Sequence, residues 1–155
     1  MSRTGNNCLE TLRAAVADAG LHAPDVSKWT VGMQVHHCAL AMVSISTALL
    51  ASSPPPPPSG LSIPRAVVLS TGRIPRGRGK SPPTAVPSAH IQQGDLLELL
   101  QQSDVLIRQV AEAESDQWWS HVFFGPMNRD QTIRFVGIHN RHHLRIISDI
   151  QRAVG

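Results

Sequence analysis

Apolar residues recur at helical spacing in four separate stretches of this chain. The first runs from about Asn7 to Ala19, with Leu9, Leu12, Val16 and Ala19 on one side and Gly20 placed as a helix-ending residue. The second runs from about Ser27 to Ala51, takes Ser27 as its N-cap, and is apolar nearly all round. The third begins at Asp95, where Asp95 and Glu98 have the spacing of a capping box. There Leu96, Leu99, Leu100, Leu106, Ile107, Val110 and Ala113 form a wide apolar face. The fourth follows Gly125-Pro126, opens on a second box-like pair, Asn128 and Gln131, and continues to about Arg152. Its inward face is Phe135, Val136, His139, His143, Ile146, Ile147 and Ile150.

The 52–93 connection holds ten of the twelve prolines, including the run Pro54 to Pro58, so it is not helical throughout. Polyproline II suits the run, and Ala66-Val67-Val68-Leu69 is its one strand-like piece. Short links join the first two and the last two helices, which favours antiparallel neighbours. The long crossover lets helices two and three run the same way. The pattern therefore predicts an all-α, single-domain four-helix bundle over residues 1–155, up-down-down-up, with a Pro/Arg-rich loop at 52–93.

No charged side chain occurs from Val31 to Ser53, yet Gln34, His36 and His37 sit near one end and Ser44, Ser46 and Thr47 dilute the rest. The strongly apolar part falls short of the ~20 residues a bilayer needs, so a buried bundle helix is expected and no membrane span. Cys8 and Cys38 form neither a framework nor a CxxC pair, and no basic-then-apolar leader opens the chain. Both points predict a reduced, cytoplasmic protein. Net charge is +3, but no acid lies between Asp25 and Asp95, an interval carrying Arg65, Arg73, Arg76, Arg78 and Lys80. That stretch lacks aromatic residues for base stacking, so nucleic acid is not the expected partner. Arg76-Gly-Arg-Gly-Lys80 is read as a solvated loop, with contact to an anionic partner as the alternative.

His139 and His143 stand four residues apart on one helical face, ~6 Å apart at Cβ. Both rings can then reach one divalent ion at about 2.0–2.1 Å if a third ligand arrives from another element. His36-His37 offers one. At 1.5 Å of rise per residue, His37 lies ~15 Å into its helix and His143 and His139 ~14 and ~20 Å from the same end of an antiparallel partner. The levels agree. Periodicity alone leaves open which of His36 and His37, and which of His142 and His143, faces inward. No general base stands beside the three, and Asp149 is expected to face out. Cys38 reads as a small buried hydrophobe, and Trp118 and Trp119 as helix-end packing.

The segments Trp29-Thr-Val-Gly-Met-Gln-Val-His-His37-Cys-Ala-Leu-Ala-Met42, His121-Val-Phe-Phe-Gly-Pro-Met127 and Phe135-Val-Gly-Ile-His139-Asn-Arg-His-His143-Leu-Arg-Ile-Ile147 resemble the DinB-like superfamily of metal-binding four-helix bundles. The resemblance implies a metal triad at His37, His139 and His143, with His36 and His142 as neighbours, and makes Phe123-Phe124-Gly125 a packing turn. It implies a divalent cofactor, zinc, nickel or iron, and thiol-dependent S-transfer or isomerisation using a low-molecular-weight bacterial thiol and an electrophilic small molecule. Pairing of two copies through their helices is also a habit of such proteins. The long basic, proline-rich insert departs from the family pattern. The competing expectation is a non-catalytic helical bundle that serves as a binding or scaffold module.

Overall fold

The computed structural model describes residues 3–58, 60–77 and 81–155, with side chains from residue 7 onward. Among them are five α-helices: α1 (Arg3–Ala15), α2 (Val31–Leu50), α3 (Ile63–Thr71), α4 (Gln93–Glu112) and α5 (Arg129–Val154). A hairpin, β1 (Trp118–His121) and β2 (Gly125–Asn128), precedes α5. The four stretches with helical period are α1, α2, α4 and α5. All four pack against one another around Leu12, Val35, Met42, Leu96, Leu100, Ile138 and Ile150, each essentially without solvent exposure.

Several local expectations need correction. Ala66–Leu69 is not a strand but the middle of α3. Ser62 caps that helix by accepting from Arg65 N–H (3.3 Å), Pro64 sits in its first turn, and Gly72, at φ +65°, ends it. The adjacent β-branched pair Val67-Val68 carries less weight in a helix this short than start and stop signals at both ends. Helix α1 gives way after Ala15 to a 3-10 turn, Val16–Asp18, and Gly20 takes no left-handed conformation. Helix α2 starts after Thr30, whose hydroxyl accepts from Met33 N–H (3.2 Å); Ser27 is used elsewhere. Helix α4 starts at Gln93 without a side-chain cap, so the Asp95–Glu98 box does not form, though Asp95 still places negative charge in the first turn. The second box does form: Asn128 Oδ1 accepts from Gln131 N–H at 3.0 Å and Gln131 Oε1 from Asn128 N–H at 3.2 Å.

Trp118 and Trp119 lie on a strand rather than at a helix end. The hairpin pairs Trp118 with Asn128 and His121 with Gly125. Trp118 fastens it to the end of α2, its backbone N–H donating to Ser52 Oγ (3.0 Å) and its indole N–H to the Ser53 carbonyl (3.1 Å). In the Phe-Phe-Gly turn, Phe124 packs on His121 and Phe135, while Phe123 is 58% exposed.

Helix α2 is the one described helix long and apolar enough to cross a membrane, and most of it is covered by the rest of the fold. Arg76 of the basic run bonds Asp149 at 2.5 Å, and Arg152 pairs with the same carboxylate. Arg78 and Lys80 lie outside the described residues. Cys8 and Cys38 are free and buried.

Candidate metal centre

Helix α2 presents two adjacent imidazoles, and the fold gives them different work. His36 turns to the insert, where its Nδ1 accepts from Ser88 N–H at 3.0 Å. His37 turns to α5. Its ring centroid lies 5.0 Å from that of His139 and 4.6 Å from that of His143, and the latter two rings are 4.6 Å apart. One ring nitrogen from each of the three falls within 4.8 Å of the others. His142 stays outside this group, its ring edge-on to His143 at 5.0 Å. Thus His37, His139 and His143 converge, and His36 and His142 do not.

Hydrogen bonds define which nitrogen is free in two of the three rings. His37 Nδ1 donates to the Ala85 carbonyl at 2.6 Å; a carbonyl can only accept, so that nitrogen carries the proton and Nε2 keeps its lone pair. His143 Nδ1 donates to Gln34 Oε1, also at 2.6 Å. Gln34 is oriented in turn, since its Nε2 donates to Ser27 Oγ at 3.0 Å. Ser27 also accepts from Trp29 N–H (3.1 Å), and the Trp29 ring lies 5.1 Å from His37 and 6.4 Å from His143. His37 Nε2 and His139 Nε2 are 3.0 Å apart. Two nitrogens bound to one tetrahedral zinc at 2.0–2.1 Å stand roughly 3.3 Å apart, so the spacing suits a shared ion.

The electrostatics favour the ligand form of each ring. Burial holds His37 below its ordinary pKa, with its Ala85 bond opposing and His36 adding to the shift. Burial, then the neighbouring His37, pushes His139 down to about 3. The adjacent Asn140 side chain, near the ring but short of hydrogen-bond geometry, opposes that shift. Burial and the two partner rings push His143 far down. All three are neutral at neutral pH, which is the state that coordinates a cation.

Among the described residues no carboxylate bonds to any of these rings. A divalent ion held by them keeps its full charge and favours an anionic further ligand. Cys38, though beside His37 in sequence, is fully buried, and burial raises its thiol pKa far above the ordinary range, so it is an inert packing group. On the α5 side the cluster is continued by Phe135, 5.9 Å from His139, and by His121, which lies between Phe124 and Phe135.

Spacing pointed to the three imidazoles but not to their supports. In the sequence Ser27 reads as an N-cap, Gln34 as a polar dilution of the apolar helix and Trp29 as part of the family-like segment, and neither these nor the Ala85 carbonyl is singled out as a support of the cluster. Gln34 is 1% exposed, and a buried amide on an apolar helix calls for a partner; that was the one signal available.

No curated protein and no solved structure matches the chain. The family model of the DinB superfamily matches residues 1–147, nearly the whole length, and the chain belongs to that superfamily.

Proposed function

We propose that His37, His139 and His143 hold one divalent cation, zinc, nickel or iron, and that the centre serves thiol-dependent S-transfer or isomerisation on a DinB-type up-down-down-up bundle. The observation that carries this reading is the tautomer arrangement. Ala85 and Gln34 each take an Nδ1–H and so leave an Nε2 lone pair free at the cluster. A divalent ion bound there lowers the pKa of a thiol ligand and polarises a carbonyl on a bound electrophile.

The chain's own part is to exclude competing chemistry and to orient. With no carboxylate among the ligands, nothing in the donor set competes with an incoming thiol for the cation's positive charge. Trp29 and Phe135 give the cluster apolar surroundings, which strengthen charge interactions within it. In the transfer, the thiol proton goes to solvent, sulfur forms a bond to the electrophilic carbon, and the leaving group departs with its electron pair. The cytoplasm, rich in reduced thiols, is the compartment such a reaction requires.

The test begins with metal analysis of the purified protein, followed by chelation and reloading with zinc, nickel, iron or cobalt. Cobalt-loaded protein titrated with a low-molecular-weight bacterial thiol should develop a thiolate-to-cobalt absorption band. The same thiol with monochlorobimane should give a metal-dependent rate of C–S bond formation and chloride release. Stoichiometric metal with thiol binding and no turnover on any electrophile would make the chain a binding module. Metal-free protein that takes up no added ion would overturn the reading altogether.

A further inference from the structure

A second candidate site shares no residue with the histidine cluster. A cleft of about 610 Å³ lies between α1, α4 and the first half of α5, with Met42 of α2 at its base. Its volume falls in the ~300–1,000 Å³ range of small-molecule sites. Leu9, Met42, Ile107 and Val136 give it an apolar interior, while Arg134 and Arg141 line it from α5.

The charges are unbalanced. Among the ion pairs of the described residues neither Arg134 nor Arg141 has a carboxylate partner. Asp130 also lines the cleft, but it bonds Arg129 at 2.9 Å. Gly137 makes room for one of the two guanidiniums, since a Cβ there would stand 3.3 Å from Arg141 Nη1. Asn140, 3% exposed, donates through Nδ2 to Met42 Sδ at 3.2 Å and so fixes the apolar floor of the cleft.

We propose that this cleft binds a small amphiphilic anion, with an aromatic or aliphatic body over Met42 and Ile107 and a carboxylate, sulfonate or phosphate head at Arg134 and Arg141. An apolar interior contributes affinity through buried area, and two guanidiniums with no carboxylate partner select the head group. The inference does not depend on metal or on turnover.

Two fluorescent probes that share a body and an anilino N–H, but differ in charge, test it on the full chain. These are 8-anilinonaphthalene-1-sulfonate and the neutral N-phenyl-1-naphthylamine. The sulfonate should bind saturably at one site and shift the Met42 methyl resonance while leaving Met33 and Met127 in place. Replacing both arginines (Arg134→Gln with Arg141→Gln) should weaken the sulfonate about tenfold and leave the neutral probe unchanged, since partly exposed charge pairs contribute modestly and only the sulfonate carries a charge. Should that variant fold poorly, a salt titration of the unaltered protein gives the same reading: added NaCl should weaken the sulfonate alone. Non-saturable binding, a response at Met127 or Met33 in place of Met42, or equal salt dependence for both probes would overturn the proposal.

Discussion

His37 and His139 bring their Nε2 atoms to 3.0 Å across 102 positions of chain. Two bare lone pairs at that distance repel, so the contact is favourable only when a proton or a cation lies between them. With His37 protonated on Nδ1 by the Ala85 contact, any such proton belongs to His139. Metal loading should therefore displace it, shifting the ¹⁵N resonances of His139 between tautomers. Loading should also raise the midpoint of thermal unfolding, with about 2.7 kcal/mol of added stability when free metal exceeds its Kd a hundredfold. An unmoved midpoint after demonstrated metal uptake would contradict a site formed only in the folded state.

Removing one ligand separates the cluster from its neighbours. His143→Ala should abolish stoichiometric metal, whereas His142→Ala, one position along and outside the cluster, should keep it. Elemental analysis of both proteins, with circular dichroism to verify folding, decides the matter. Equal metal content in the two would move the site elsewhere.

Gln34 touches no cation in this reading, yet it fixes the ring of His143. Gln34→Leu should keep metal stoichiometry but lower affinity by about 10- to 100-fold, the usual effect of losing an outer-shell partner. Ser27→Ala, one bond further out, should cost less. Chelator competition measures both, and a larger loss at Ser27 than at Gln34 would reverse the proposed order of support.

Acid should weaken the fold through histidines that are held neutral. Burial pushes His121 from its ordinary 6.5 to about 4 in the folded protein. Between those values the unfolded chain binds a proton that the folded chain refuses. This group's contribution is thus complete above pH 6.5 and is lost as pH falls toward 4, at up to about 1.4 kcal/mol per pH unit. Urea unfolding of metal-free protein at pH 7, 5.5 and 4.5 should show the decline. His121→Phe should reduce the slope without removing it, because His37, His139 and His143 are depressed too.

Gly32 sits where α2 meets the turn after α1, its N–H donating to the Ala19 carbonyl at 2.8 Å. A Cβ at this position would stand 3.0 Å from both Ala19 Cβ and Ala19 O. Gly32→Ala should accordingly destabilise by about 1–3 kcal/mol, since the neighbour is largely backbone and has little room to give. A thermal midpoint equal to that of the parent would show that the turn can move.

The long helices were legible because burial imposes its period on many positions at once. Leu96, Leu100, Ile107 and Val110 of α4 mark one face whatever packs upon it. His139 and His143 were legible for a related reason, as spacing on a single helix translates directly into space. Elements decided by a few residues were harder. Helix α3 rests on Ser62 and Gly72, and the hairpin on a turn between Trp-rich and Gly-Pro segments, so neither builds a periodic signal. The His36–His37 choice was settled by contacts more than forty residues away, Ala85 and Ser88, which no local pattern encodes.

The Ala85 carbonyl comes from the insert and would be present whatever side chain occupied that position. Any chain trimmed of this segment would still spell out all three histidines, and a search by motif would accept it as equivalent. It would nonetheless have lost the group that tells His37 which nitrogen to offer. If the three rings do hold an ion, the capacity to do so is thus partly written in backbone geometry, where residue-by-residue comparison does not read.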